Sequence, residues 1–432
     1  MIEKAPKFKI SNNLIQTINF IQSQEQSKPL NKIENEYLYW DKIKYLKDEY
    51  FNNKKLWVIT KIKRHLQYSV GSIDTIKYLF NITKKLQQQL HYLDHHFGAG
   101  LLKEQLLSDL EKQQYLNNAL MEESIFSSMI EGATTTRVQA KDMLRKSRSP
   151  NNKSEQMILN NYETIQYISD HKTEDISIDR LYEIHRLVTK NTLKKENVGV
   201  FRKSNDIHVM NEITGEIVHT PPKFNTLDEL MKSFCHFFNH NSKDNFIHPI
   251  VKASILHFLV GYIHPFIDGN GRTARAIFYW YLLKEGYWLA EYLSISRVIM
   301  KSKTQYEKAY LYTEIDDMDV TYFIHYQIKI LTQAFEDLKT YVAKKKKEEN
   351  TLSIFYVEPN INERQAQLLF WVKENKNRYF TVKEIENYFS ITNQTARTDL
   401  ESLVKRKILK KIHINKKTAN YWKGDLFDQK FS

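Results

Sequence analysis

Between positions 264 and 275 the chain reads HPFIDGNGRTAR, which sets a histidine, a carboxylate, two glycines and two arginines within one short stretch. Gly269 and Gly271 let the backbone turn tightly and approach a ligand closely. The first amides of a helix that starts there, with Asn270 among them, have no intrahelical acceptor, so several N–H groups converge on one point and attract an anion. Arg272 and Arg275 are three apart, share one face of that helix and add two forked donors suited to phosphate oxygens. Positive side chains beside a helix N-terminus are unfavourable unless an anion neutralises them, so two of them point to a polyphosphate. Asp268 would be repelled by that anion unless a hard divalent cation such as Mg2+ bridged the two. His264, held by the following Pro265, titrates near neutrality and can take a proton from an attacking hydroxyl. The stretch therefore predicts transfer of part of a nucleotide to a hydroxyl, with His264 as base.

A second cluster, Cys235, His236 and His240, sets two histidines one helical turn apart, a spacing that can bind zinc. It lacks the glutamate of a zinc-protease helix and a fourth ligand nearby, and helix packing is the stronger reading. The aromatic run AIFYWYLL is read as core.

The elements that position the motif are helical. HPIVKASILHFLVGYI before it and GRTARAIFYWYLLKEG after it carry helical periodicity, giving helix, short loop, helix. Upstream, 104–132 reads as a long helix ending at Gly132, a residue suited to a C-terminal cap, and ATTTR offers a Thr N-cap for the next helix. Segment 207–220, DIHVMNEITGEIVHTPP in its surroundings, places β-branched residues on both sides of a turn-type glycine and predicts a β-hairpin, the one clear strand pair before the C-terminus. Residues 1–100 read as helices, including QTINFIQ and SIDTIKYLFNITKKLQQQLHYL. AKKKKEEN (343–350) reads as the solvated end of a helix leading into a linker. Beyond it, three short helical segments and an alternating pair, ILKKIHI and TANYWKG, have the order of a winged helix-turn-helix. The expected fold is mainly α in three parts: an N-terminal helical region at 1–110, a motif-bearing domain at 111–345, and a linker with a winged helix at 346–432.

The chain has 432 residues and a formal charge of +13, and residues 361–432 hold 15 Lys and Arg against 8 Asp and Glu. That concentration marks the C-terminus as the place for a polyanion contact. The recognition helix is expected to begin after Thr392 or Asn393, with Asn the better N-cap. Gln394, Thr395 and Arg397 are then groove contacts, and Lys405, Arg406 and Lys407 lie near phosphate. The single Cys235 makes no internal disulfide, the N-terminus lacks an apolar leader, and the longest apolar run falls short of a membrane span. A cytoplasmic protein with no membrane partner is expected.

HPFIDGNGRTAR resembles the motif of the Fic family at each of its fixed positions, and the helix before it is similar to the one that precedes the motif there. The resemblance implies a helical core with a β-hairpin flap, and transfer of AMP from ATP to a Ser, Thr or Tyr hydroxyl of a target protein, or of the chain itself, with Mg2+ as cofactor. It implies His264 as general base, Asp268 as metal ligand, Gly269, Asn270 and Gly271 as the anion nest, and Arg272 and Arg275 on the phosphates. A kinase branch of the family carries lysine where Gly271 stands. The 207–220 hairpin is similar to the flap that clamps the target as an added strand, with Val218 and His219 beside the nucleotide. Tyr306 fits one of a pair of tyrosines near the base, and Glu307 stands where the second is often found. Ser127, Glu131 and Gly132 resemble the inhibitory motif on a helix of the class with an upstream brake, which implies a Glu131–Arg275 pair in the place of the γ-phosphate. Removal of AMP instead of addition, a nucleotide-sensing DNA-binding regulator, and a homodimer stay open at this point.

Overall fold

Runs with apolar residues every three or four positions become α-helices through most of the chain, and strands appear only as three two-stranded antiparallel hairpins among the described residues. The computed structural model describes residues 2–7, 28–49, 51–99, 109–210, 214–241, 246–375, 378–389, 391–414 and 419–431. The expected helix at QTINFIQ and the start of the one at 104–132 lie outside them. The chain divides into two compact units, Met1–Leu338 and Lys339–Ser432. No helix among the described residues is long and apolar enough to cross a membrane.

The first unit begins with helices α1 (Lys28–Glu36), α2 (Trp40–Ile43) and α3 (Asn53–His65). Where helix was expected at the start of SIDTIKYLFNITKK, strands β1 (Ser69–Ile73) and β2 (Ile76–Phe80) instead pair from Ser69↔Phe80 to Ile73↔Ile76. The three-residue spacing of Val70, Ile73, Ile76 and Leu79 imitates a helix, but Asp74 turns left-handed (φ 47°) and closes a two-residue loop. Helix α4 (Lys84–Ala99) follows. Trp40, Leu56, Trp57 and Ile62 pack in one cluster with Tyr322 from the far end of the unit.

Helix α5 (Asp109–Ile130) ends in a Schellman motif: Gly132 takes φ 90°, its N–H donates to Met129 O and Ala133 N–H to Ser128 O. Thr136 caps α6 (Arg137–Arg145), its hydroxyl accepting from Gln139 N. Helices α7 (Lys153–Asp170), α8 (Ile178–Thr189) and α9 (Leu227–Asn239) surround α10 (Pro249–Ile263) and α11 (Asn270–Lys284). These two flank the HPFIDGNGRTAR loop and are buried on nearly every face, so the loop rests on the most solidly packed part of the unit. Strands β3 (Val209–Met210) and β4 (Ile217–His219) form the hairpin expected at 207–220, which is therefore not the one strand pair before the C-terminus; its tip, 211–213, lies outside the described residues. Helices α12 (Ile295–Lys301), α13 (Lys303–Ile315) and α14 (Thr321–Ser353) complete the unit, and the division between units falls inside α14, which includes AKKKKEEN.

In the second unit α15 (Glu363–Glu374), α16 (Val382–Phe389) and α17 (Asn393–Lys405) are followed by β5 (Leu409–His413) and β6 (Ala419–Lys423), with a short α18 (Phe427–Phe431) that the sequence reading did not foresee. Phe380 exchanges both backbone hydrogen bonds with Tyr421, adding a third partner to the wing. Leu369, Val372, Phe380, Leu400, Leu403 and Tyr421 form its core.

Candidate active site

The loop that carries the motif is held by its own polar groups. His264 ends α10 in the left-handed region (φ 49°, ψ 57°), and its N–H donates to Val260 O at 3.0 Å. Pro265 behind it disfavours the right-handed helical conformation at 264, so the helix stops there. Asn270 closes the turn: its Nδ2 donates to Phe266 O (2.8 Å) and its Oδ1 accepts from Phe266 N (2.9 Å). Its side chain is thus spent on the loop, leaving its backbone N–H to the helix terminus. Gly269 starts α11 at φ 82°, where an added Cβ would also press on Val188 and Thr189 at 3.1 Å.

Two supports were invisible in the sequence pattern. His185 on α8 stacks on Phe266 with ring centroids 3.9 Å apart, accepts from Gly199 N at Nδ1 (2.9 Å), and so donates from Nε2 to Asp268 O (3.0 Å). Burial lowers its pKa to about 4, which keeps the ring neutral in this tautomer. Arg202 donates from Nε to His264 O (2.9 Å) and from Nη1 to Ser204 O, reaches Pro222 O through Nη2, and its N–H donates to Pro265 O. One side chain therefore ties the loop to the base of the β3–β4 hairpin. Nothing in the local spacing of either residue marks it.

Both motif arginines are buried. Arg272 donates from Nη1 to Val188 O (2.8 Å) and comes within 3.6 Å of Asp268 Oδ1. Arg275 donates from Nε to Ser127 Oγ (2.8 Å) and from Nη2 to both Ser127 O (2.9 Å) and Glu131 Oε1 (3.0 Å). Burial alone would lower the Arg275 pKa; the Glu131 carboxylate, together with Tyr306 and Glu123, more than offsets it and raises it. Arg275 Nη1 and Arg272 Nε are buried with no hydrogen-bond partner among the described residues. An added Cβ at Gly271 would lie 2.2 Å from Glu131 Oε1, so the Glu131 carboxylate sits against the start of α11, where the free amides converge. Ser127, Glu131, Gly271 and Arg275 are thus brought together across separations of 144 and 148 residues between the bonded pairs, and Gly132 ends the helix that delivers Glu131.

A cavity of about 340 Å3 opens beside this point, lined by Glu131, Gly271, His264, Val218, Tyr306 and Glu314 among others. His264 Nδ1 faces Gly261 O at 3.3 Å, a contact that places the proton on Nδ1 and leaves Nε2 as an acceptor. Burial lowers its pKa, so the ring is neutral and basic at neutral pH. Val218 lines the cavity. The His219 ring turns inward, between Glu314 Oε2 and Tyr262 O. Tyr306 is buried against His257, its hydroxyl 2.8 Å from Nε2, and its companion on the cavity wall is Tyr310, one helical turn on, whose signal was the i+4 spacing. Glu307 also lines the cavity.

Asp268 is 44% exposed, and its Oδ1 accepts from Gly269 N at 2.5 Å. One exposed carboxylate beside an anion cradle fits Mg2+, which takes one or two protein oxygens and completes its octahedron with water and phosphate. Cys235, His236 and His240 do not converge: Cys235 is buried, the two histidine rings stack on each other, and no group of three metal-binding side chains is found among the described residues.

In the second unit Thr392, not Asn393, caps α17, accepting from Thr395 N at 3.2 Å, while Asn393 donates to Glu386 (3.1 Å). A β-region N-cap followed by an exposed asparagine lets both residues bond, which a cap at 393 would not. Gln394, Arg397, Lys405 and Lys407 are exposed and Thr395 half-buried. Arg406 is instead directed to Pro359 O and Asn360 O, within 3.7 Å of Glu358.

Residues 175–282 match the Fic/DOC family and residues 364–414 the DeoR-like helix-turn-helix domain. Over 207 residues the chain is 30% identical to the protein adenylyltransferase Fic of Drosophila mojavensis, covering 43% of this chain and 39% of that protein. Over 185 residues it is 31% identical to the protein of the same name from Nematostella vectensis, covering 41% of each. The chain thus spans about two fifths of these relatives' length. In fold it is similar to a Fic family protein from Desulfovibrio desulfuricans G20 (TM-score 0.52, 18% identity, 78% of this chain and 94% of that one). It is likewise similar to a fragment of Fic-1 from C. elegans (TM-score 0.50, 18% identity, 77% and 90%). The motif loop, the hairpin above it and the three helices and wing beyond are therefore those of a chain that joins a Fic domain to a DeoR-like helix-turn-helix domain at its C-terminus.

Proposed function

We propose that the chain is a protein adenylyltransferase that moves AMP from ATP to a hydroxyl side chain of a target protein or of itself, and that Glu131 restrains it. The observation that carries this reading is the Glu131 carboxylate lying against Gly271 and paired with Arg275, where a terminal phosphate would be held by the same donors. The amides at the start of α11, Arg272 and Arg275 orient the phosphates. The β3–β4 hairpin presents the acceptor as an added strand, and Val218 flanks the nucleotide. His264 Nε2 accepts the acceptor's proton as its oxygen bonds to the α-phosphorus; the bond from that phosphorus to the bridging oxygen breaks, and pyrophosphate leaves. Mg2+, held by Asp268, would neutralise the phosphates and position them. The single buried Cys235 agrees with a reducing cytoplasm.

With α-labelled ATP and Mg2+, Glu131→Gly is expected to raise incorporation into protein by about 10- to 100-fold, the worth of one charge-assisted hydrogen bond. His264→Ala in that background abolishes it. Unchanged incorporation in Glu131→Gly would remove the brake. Nucleotide binding without transfer in that same variant would instead support a nucleotide-sensing regulator.

The DeoR-like domain favours a second partner, DNA, read by Gln394, Thr395 and Arg397 with Lys405 and Lys407 on phosphate. Retardation of duplex DNA should weaken steeply as salt rises, and Lys405→Ala should lower that slope by about one. No retardation at low ionic strength would eliminate DNA.

A further inference from the structure

Among its described residues the β3–β4 hairpin buries few side chains that could hold it in place. Its paired residues are Val209↔His219 and Met210↔Ile217, and Met210 and Ile217 are each 56% exposed. The exception is His219, whose side chain is 7% exposed. Its Nδ1 lies 2.7 Å from Glu314 Oε2 on α13, and its Nε2 lies 2.7 Å from the carbonyl oxygen of Tyr262, two residues before His264. The ring also leans on the Tyr262 ring, centroids 4.9 Å apart. One imidazole thus joins the hairpin to both walls of the cavity, the helix that ends in His264 and the helix that carries Tyr306 and Tyr310.

The chemistry of the two partners fixes the proton count. A carbonyl oxygen only accepts, so Nε2 must carry a hydrogen. An ionised carboxylate also only accepts, so at 2.7 Å a proton must stand between Glu314 and Nδ1, on the ring or on the carboxyl. Without it a lone pair on nitrogen faces a lone pair on oxygen, and the contact repels. Other charged groups around this point are Glu131 beyond the end of α5, Lys303 and Glu307 on α13, and His264 at the end of α10, which all line the same cavity. Arg202 acts on His264 from below, and His208 reaches Thr220 at the hairpin's outer edge.

We infer that His219 and Glu314 form a proton-holding latch that sets the β3–β4 hairpin over the cavity and so positions the acceptor hydroxyl against the nucleotide. They are positioning residues. The inference rests on the adenylyltransferase reading for its kinetic consequence but not for its structure. The latch holds while a hydrogen stands between Nδ1 and the Glu314 side chain, whichever of the two supplies it.

The test uses the full chain in the Glu131→Gly background. Self-incorporation from labelled Mg-ATP is followed at saturating nucleotide, with the KM for ATP measured for each variant. His219→Ala and Glu314→Ala should lower the rate about tenfold and leave the KM for ATP within about twofold. Glu314→Gln is the diagnostic variant. Its amide donates to Nδ1 of a neutral ring, so the latch closes on the amide's own hydrogen and the rate should stay within about twofold of the parent. A rate in Glu314→Gln as low as in Glu314→Ala, or rates in both alanine variants equal to the parent's, overturns the latch. Nitrogen NMR of the histidine-labelled chain reads the same point without any activity. Both His219 ring nitrogens should give hydrogen-bonded signals, and Glu314→Ala should abolish the one at Nδ1. If the parent transfers no AMP at all, the adenylyltransferase reading fails, and the NMR result alone decides the latch; a single hydrogen-bonded nitrogen at His219 overturns it.

Discussion

At the scale of single residues, the groups of the candidate site were legible because their spacing is local. A histidine, an acid, two glycines and two arginines within twelve positions lie close together in any compact turn, and that spacing alone suggests an anion cradle with a base at its edge. What spacing could not give was the long-range contact. Asn270 proved to close the loop with its side chain, and His219 to face inward, because each met a backbone carbonyl that no local pattern reports. His185 and Arg202 reach the loop from residues 83 and 62 positions away, respectively. His185 makes a prediction of its own. Its pKa falls from the ordinary 6.5 to about 4 because burial disfavours the charged ring. The stability it contributes is full above about pH 6.5 and is lost as pH falls through about 4, on the order of 3 kcal/mol in all. The buried His257 and His325 push in the same direction. Thermal denaturation should show the chain weakening over that window, with a shallower slope in His185→Gln. The left-handed backbone at His264 adds a practical point: alanine there removes the imidazole and also strains the turn, while asparagine tolerates the same φ, so the two variants together isolate the proton acceptor.

At the scale of elements, α5 illustrates how a carboxylate is delivered to a site far away in sequence. Its apolar residues are not confined to one stripe, and it is gripped through its polar ones. Glu122 pairs with Arg137 and Lys141 on α6. Glu123, fully buried, accepts from Ser294 Oγ (3.1 Å), Ser296 N (2.9 Å) and Ser296 Oγ (2.5 Å) at the start of α12. These grips fix the helix two turns before Glu131. Ser296→Ala should loosen that register, at a cost of about 1–3 kcal/mol in stability. On the adenylyltransferase reading it should raise self-incorporation above wild type yet below Glu131→Gly, measured with the same labelled nucleotide. Equal rates in Ser296→Ala and wild type would mean that the helix holds its register without this contact. Elements were legible where their period was unambiguous, as for α10, α11 and the three helices of the second unit. They were misread where two periods coincide: β1 and β2 carry a spacing that suits a helix, and a single left-handed aspartate decides for a hairpin.

At the scale of the whole molecule, the chain divides after Leu338 into a larger and a smaller unit, whereas the change of pattern and the basic excess toward the C-terminus suggested three parts with a boundary at 345/346. Less visible was how firmly the N-terminal region joins the first unit. Lys61 is buried against Asp316 at 2.7 Å, and Tyr37 and Tyr68 both donate to Asp319. These pairs cross about 250 residues of chain, a separation over which no composition or periodicity signal operates. The same logic applies to Arg275, a guanidinium only 1% exposed whose anionic companion comes from a distant helix. Taking Glu131 away strands that cation in the interior, so the Glu131→Gly chain should melt several degrees below wild type when no ligand is present. On the adenylyltransferase reading, adding Mg-ATP should then lift its melting temperature far more than it lifts that of the parent, because only the variant gains a missing counter-charge along with the ligand. A restrained chain would be sturdy when empty, whereas a liberated one would depend on what it carries for part of its folded life.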